Sequence, residues 1–180
     1  MFIDLSTIRS GCYLPVITDI PPSLDIDGQS PAGKQLQLTL LAVQKHGNRR
    51  LSDSLRKFNL TLLQSDILEI LFSREELNLK EIGALTLCDS GSPSRSMDQL
   101  VQRGYVDRRR DAHDRRIVHF SITSSGQSLG LKIARAMTWI DDELHDSLSD
   151  EGIENMTNAL RLLLGNSSES VRLNNRLPTV

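Results

Sequence analysis

The nine residues Arg108-Arg109-Arg110-Asp111-Ala112-His113-Asp114-Arg115-Arg116 place five guanidinium groups within one short stretch. A guanidinium is always charged and presents a planar fork of donors, so the chemistry on offer is recognition of phosphate or of a guanine edge, with no bond made or broken. From Arg95 to Arg116 seven Arg stand against four Asp, whereas the whole chain of 180 residues has a formal net charge of −2. A mildly acidic chain that gathers positive charge on one ribbon focuses its field there, as a polyanion-binding surface does. The bland alternative is a solvated hairpin with ordinary surface arginines. The helix pair that precedes the run weighs against it.

Bond-making chemistry finds little support. His46, His113, His119 and His145 are scattered, with no Cys or carboxylate at ligand spacing, so the sequence implies no metal site. There is no glycine-rich phosphate loop and no nucleophile elbow, which leaves no cofactor to expect and no catalytic residue to name. Asp141, Asp142 and Glu143 form a run on a solvated helix face. Cys88 is the one nucleophile to weigh, because it stands just ahead of a helix whose positive end would favour a thiolate, although Asp89 beside it opposes this. A buried, inert thiol is one reading of Cys88 and a redox-responsive switch is the other.

The elements that must position the arginines are marked by caps. Asn78 with Glu81 three residues on has capping-box spacing and opens a helix carrying Leu79, Ile82, Leu85 and Leu87. A turn follows at Cys88 to Gly91. A second helix starts in the Ser-Gly-Ser-Pro run, where Pro93 is tolerated only within the first turn because its missing amide proton would be unpaired there anyway. Met97, Leu100 and Val101 form its buried stripe, and Gly104 stands where a left-handed cap is wanted. Beyond it the period changes to alternation, with Tyr105 and Val106 entering one strand and Ile117 to Ile122 forming another. Helix, turn, helix and a basic hairpin make a winged helix-turn-helix, whose second helix enters the major groove. Its wing tip would reach the neighbouring minor groove, whose negative potential favours inserted Arg. On that geometry Ser92, Ser94, Arg95 and Gln99 face the major groove, with Arg95 best suited to read guanine. Arg116 enters the minor groove with Asp114 holding its guanidinium, while Arg108, Arg109, Arg110 and Arg115 mainly meet phosphates.

The flanking sequence is helical. Ser30 and Pro31 open a helix running to about Phe58, interrupted by Gly47, which costs about 1 kcal/mol against Ala and is a place for a kink. Thr61 and Gln64 form a second capping box, ahead of Ile67, Leu68, Ile70, Leu71 and Phe72 as inward positions. After the hairpin, Thr123 caps a helix whose stripe from Leu129 to Leu148 runs unbroken, and Ser149 opens a last helix ended by Gly165. Such stripes exceed what a small winged domain buries alone, and a homodimer in which these helices interlock would cover them. A helical core within one chain is the alternative.

These motifs, in this order, resemble the MarR family of bacterial winged-helix regulators, over about Lys34 to Gly165. Asp114-Arg115-Arg116-Ile117-Val118-His119-Phe120-Ser121-Ile122-Thr123 is similar to the family's wing, with Ile122 for the usual Leu. Ser94 and Arg95, followed by Asp98 and Leu100, resemble its recognition helix; Leu60, Thr61 and Gln64 resemble the opening of its second helix; and Gly126 falls where a Gly follows the wing. Pro93 departs from the pattern, since most members carry an aliphatic residue there. The resemblance implies a mainly α fold with a small β-wing, namely a winged helix-turn-helix DNA-binding domain of about 61–123 plus dimerisation helices of about 31–58 and 124–165. It also implies a homodimeric repressor of double-stranded DNA, released by a small lipophilic or phenolic effector lodged between the first, second and fifth helices near Leu41, Lys45, Phe58 and Trp139.

Residues 1–30 carry Pro15, Pro21 and Pro22 and read as an amino-terminal arm, and residues 166–180 read as a polar, mobile tail. Cys12 and Cys88 fit a reduced compartment, and the sequence has neither a signal-peptide pattern nor a bilayer-length apolar run, so a cytoplasmic protein with no membrane partner is expected. A winged-helix module docking an acidic protein through its basic ribbon is the reading from another class.

Overall fold

The computed structural model describes residues 31–88 and 92–177, so the expected arm over 1–30, with Cys12, and the later part of the turn at Cys88 to Gly91 lie outside the described residues. The chain divides into two compact units, Met1–Val43 and Gln44–Val180. In the first, the described residues are the start of helix α1 (Pro31–Arg56), where Leu36, Leu38, Leu40, Leu41 and Val43 are exposed. Pro31 is its first residue, and the helix is continuous through Gly47.

In the second unit α1 ends at Arg56, followed by Asn59 in the left-handed region at φ 54°. Then come α2 (Leu62–Phe72), β1 (Leu77–Asn78), α3 (Leu79–Leu85), α4 (Pro93–Gln102), β2 (Val106–Arg110) and β3 (Val118–Ile122). Four helices close the chain: α5 (Ser124–Ala136), α6 (Trp139–Ser147), α7 (Asp150–Leu164) and α8 (Ser168–Arg176). Both capping boxes form: Thr61 and Gln64 exchange side-chain to backbone bonds at the start of α2, and Asn78 and Glu81 do so at the start of α3. Ser92 is the N-cap of α4 and Pro93 its first residue, as the spacing requires.

Helix α2 is the centre of the core. Leu63, Ile67, Leu68 and Leu71 are buried against Leu55, Ile82, Met97, Leu100, Val106, Phe120, Leu129 and Ile133. Phe72, expected inward, is instead exposed on the last turn of α2. The sheet is antiparallel in the order β1-β3-β2, with Leu77 opposite Phe120 and Val106 opposite Ile122. Strand β1 has two residues, the second of which, Asn78, is also the cap of α3, so it is too short to show a period.

Two junctions fix the wing to the helices. At the end of α4 the Tyr105 amide donates to the Leu100 carbonyl at 3.0 Å and the Gly104 amide to the Val101 carbonyl at 2.9 Å, with Gly104 at φ 71°. That is the Schellman arrangement, and it needs a residue at ease with positive φ. At the far end Thr123 gathers three bonds: its amide donates to the Tyr105 carbonyl at 3.1 Å, its hydroxyl donates to the Gly104 carbonyl at 2.8 Å, and the same oxygen accepts the Gly126 amide at 3.0 Å. Gly126 is required by the close approach it makes here. A Cβ at this position would sit 2.8 Å from Ile122 Cγ1 and collide with the Tyr105 carbonyl, and backbone cannot swing aside as a flexible side chain can. Gly126→Ala is therefore expected to destabilise the fold by about 1–3 kcal/mol, the usual cost of forcing extra volume into a packed site. A lowered midpoint in urea unfolding at unchanged m-value would show it.

Two expectations about the carboxy-terminal part are corrected. The unbroken stripe from Leu129 to Leu148 is carried by two helices, with a tight turn in which Met137 N–H donates to the Ala134 carbonyl at 3.1 Å and Ile140 N–H to the Met137 carbonyl at 3.0 Å. Bonds spanning three residues are the tighter 3₁₀ type, which an apolar period does not reveal. The break lets Trp139 lie under the Arg50 guanidinium, 4.0 Å from its centroid, and donate from Nε1 to Ser54 Oγ at 3.2 Å. Likewise the expected tail after Gly165 carries α8, capped by Ser167 and held by polar contacts, so it lacks the apolar stripe by which a helix is recognised. Helix α7 ends at Gly165 as expected, with Met156, Leu160, Leu162 and Leu163 exposed along it.

Candidate nucleic-acid interface

Helix α4 is sharply two-faced. Met97 and Leu100 are buried while Ser92, Ser94, Arg95, Asp98 and Gln99 are exposed, so the expected groove-facing residues lie on one free side. The Ser92 hydroxyl accepts the Arg95 amide at 3.4 Å, which leaves the Arg95 side chain outside the cap. Gln99 is not loose: its Oε1 accepts from Gln64 Nε2 at 2.7 Å, and Gln64 is buried at the start of α2. Gln64 thus serves its capping box and aims Gln99, a second role that sequence spacing did not reveal.

The wing arginines divide by face. In an antiparallel pair, residues directly opposite share a face. Arg108 is opposite Phe120 and Arg110 opposite Val118, on the face that meets the core, whereas Arg109 is opposite His119 on the outer face. Arg108 reaches back to α4, with Nη1 at 3.5 Å from Asp98 Oδ1, so helix and wing form one continuous surface. Arg109 makes a two-pronged pair with Glu76, Nη2 to Oε2 at 2.7 Å and Nε to Oε1 at 3.2 Å. That pairing holds the Glu76 carboxyl below its ordinary value and raises the Arg109 guanidinium. Arg109 therefore arrives at the surface charged and already paired. Among the described residues no hydrogen bond or ion pair engages the guanidinium groups of Arg95, Arg110 or Arg115.

The wing tip is built on two aspartates. Asp111 Oδ1 accepts the amides of His113 at 2.8 Å and Asp114 at 2.9 Å, and its Oδ2 lies 3.1 Å from His119 Nε2. The amide bonds from Asp114 and His113 hold its carboxyl below the usual value. This is an Asx turn, in which a side-chain carboxylate replaces a backbone acceptor and closes a tight loop. Asp114 then grips Arg116, accepting its amide at 3.0 Å, its Nε at 3.1 Å and its Nη2 at 3.0 Å. The Arg116 bonds pull the Asp114 carboxyl down as well. Arg116 is 91% exposed even so, a guanidinium steered by its neighbour and still open to solvent. Arg103, counted in the basic stretch, serves the fold instead by donating to the carbonyls of Asn59 at 2.7 Å and Phe58 at 2.9 Å.

A cavity of about 370 Å³ lies along the end of α1, α2 and α5, the elements implied for an effector. Its walls are mostly apolar, including Leu51, Leu55, Leu68, Ile133 and Met137, with Asp66, Glu69 and Cys88 at the edge. The four residues named for this role are placed elsewhere. Lys45 is exposed, Phe58 packs on the core, Trp139 lies under Arg50, and Leu41 belongs to the other unit, so none of them lines the cavity. Cys88, half-buried, faces this cavity. No cluster of metal-ligating side chains and no helix long and apolar enough to cross a membrane occurs among the described residues.

A family model described as a winged helix DNA-binding domain matches residues 60–126, from the cap of α2 to the glycine behind the wing. The chain is similar to the HTH-type transcriptional regulator SarZ of Staphylococcus haemolyticus, 25% identical over 135 residues, which is 74% of this chain and 89% of that one. Its fold is shared by a MarR mutant from E. coli complexed with operator DNA, with TM-score 0.64 and 21% identity over 76% of this chain and 99% of that one. Streptococcus pneumoniae FabT in complex with DNA also shares it, with TM-score 0.61 and 19% identity over 72% of this chain and 93% of that one. Residues 60–126 therefore carry a winged helix DNA-binding domain, in a chain that is similar to the regulator SarZ and shares its fold with MarR.

Proposed function

We propose that the protein is a homodimeric repressor that binds a pseudo-palindromic operator and is released from it by a small lipophilic or phenolic effector. The observation that carries this reading is the contact between Arg108 on the wing and Asp98 on α4, because it joins the groove-facing side of the helix and the basic ribbon into one surface. Ser92, Ser94, Arg95 and Gln99 read bases, Arg116 enters the minor groove beside Asp114, and Arg108, Arg110 and Arg115 meet phosphates. Arg109 contributes less, since Glu76 already occupies its fork.

Dimerisation is supported by the exposed apolar side chains of α1 and, separately, of α7, which leave more apolar surface uncovered than a soluble single chain usually shows. A two-fold dimer would set its half-sites about one helical turn apart. The cavity is of a size that small organic ligands occupy, and an effector bound more tightly to a dimer with mismatched reading heads would shift the population off DNA.

Selection of bound sequences from random duplex DNA tests the proposal. Enrichment of an inverted repeat with half-sites about one turn apart is expected; recovery of no sequence preference would overturn it. On the selected operator, Arg110→Ala or Arg115→Ala should flatten the dependence of log affinity on log salt by about one unit each, with a smaller change for Arg109→Ala. Equal slopes for all three variants and the parent would place the wing away from the phosphates.

A further inference from the structure

The surface of α4 explains what is read but not what holds the turn from which the helix is launched. The described residues between α3 and Ser92, the cap of α4, are Thr86, Leu87 and Cys88, and they are gripped from two sides. From α2, the Asp66 carboxylate, only 9% exposed, accepts the Thr86 hydroxyl and the Leu87 amide, the latter at 3.2 Å. From α8, Arg172 Nη1 donates to the Thr86 carbonyl at 3.0 Å. Arg176, whose side chain is 15% exposed, closes the arrangement by donating from Nη1 to the other oxygen of Asp66 and from Nη2 to Glu69 Oε1 at 2.8 Å. Arg74 Nη2 fastens α8 itself through the Asn175 carbonyl at 2.9 Å. Burial presses the Arg176 guanidinium down, yet the two carboxylates outweigh this and leave it above its ordinary value.

We propose that Arg176 and Arg172 are positioning residues for DNA reading: α8 is a clamp that holds the Thr86–Cys88 turn, and through it the seat of the recognition helix, by way of the buried Asp66 carboxylate. The proposal rests on the operator-binding reading and deepens it. A carboxylate buried without its cation is strongly unfavourable, so removing Arg176 leaves Asp66 to seek water and to loosen its hold on Thr86 and Leu87. Among the described residues no hydrogen bond or ion pair joins the wing to this cluster, so the proposed phosphate contacts of the wing do not depend on it. Asp66 also lines the cavity, so an effector there would bear on the same carboxylate.

The distinguishing property is a split between specific and nonspecific binding. Arg176→Ala, Arg172→Ala and Arg176→Lys are compared with the parent on the selected operator and on a random duplex of equal length, across a salt series. Arg176→Ala should lose about tenfold in operator affinity, the scale of one mis-seated base pair. Affinity for random duplex and its salt slope should stay as in the parent, and Arg176→Lys should recover part of the loss. Operator and random affinities that are both unchanged would overturn the clamp, as would both falling together in step with a lowered melting temperature. Should Arg176→Ala fail to fold, Arg172→Ala decides, since it removes one bond to a backbone carbonyl and should show the same split at smaller size. A parent protein that selects no sequence would instead remove the operator-binding reading itself.

Discussion

Replacing Arg95 by Ala is expected to weaken operator binding by about 1–3 kcal/mol and to flatten discrimination at one base pair per half-site, while binding to random DNA changes little. The side chain leaves the first turn of α4 on its exposed side, its amide is already taken by Ser92, and no described residue holds its guanidinium. It is therefore free to make a two-pronged contact with the N7 and O6 acceptors of guanine. Arg95→Lys should recover the charge but not the fork, so its affinity for random DNA should match the parent while its preference at that base pair stays weak. Competition binding against operators substituted at each position measures both quantities. A uniform loss across all positions would mean that Arg95 meets a phosphate and reads nothing.

Arg116→Ala should cost operator affinity on the order of ten- to a hundredfold, with the greatest effect on sites whose flank has a narrow, A·T-rich minor groove. Arg116 stands at the end of the wing, 91% exposed, and three bonds to Asp114 fix its direction. Holding the fork in advance removes part of the ordering cost that a long side chain otherwise bears on binding. Asp114→Ala should consequently weaken binding too, although it removes a negative charge from the DNA-facing surface, where simple Coulomb repulsion would have predicted an improvement. Loss of affinity in Asp114→Ala supports steering of Arg116, and a gain would show that Asp114 merely repels the duplex. Affinity titrations of the two single variants and the double variant on one operator give the coupling between them.

Much of this surface is legible in the amino-acid order because its signals are local. Asn78 with Glu81, Thr61 with Gln64, Ser92 with Pro93, and Gly104 each act within a single turn, and every one of them is found at the boundary its spacing marks. What escapes is what depends on distant parts of the chain meeting. Glu76 and Arg109, Gln64 and Gln99, and Asp66 and Arg176 are far apart in sequence, and no periodicity announces such pairs. The tight turn at Met137 was invisible for a different reason, since the apolar stripe passes through it. Helix α8 was hidden because guanidinium groups hold it in place of leucines. The cavity lies among the helices that the family likeness implied, but its lining depends on which side chains turn inward, and Phe72 shows how a residue of the expected type can end on its rim.

The three bonds at Thr123 have a bearing on how such regulators diversify. Because Gly104, Tyr105 and Gly126 are all tied to that one residue, the two ends of the ribbon leave and rejoin the helical body side by side. Whatever lies between Arg110 and Val118 can then be lengthened, shortened or exchanged at little thermodynamic expense, as closing a somewhat longer loop adds only fractions of a kcal/mol. On the proposed reading of the wing, operator preference at the outer flank is then a graftable trait, open to change by insertion while the helical scaffold behind it stays as it is.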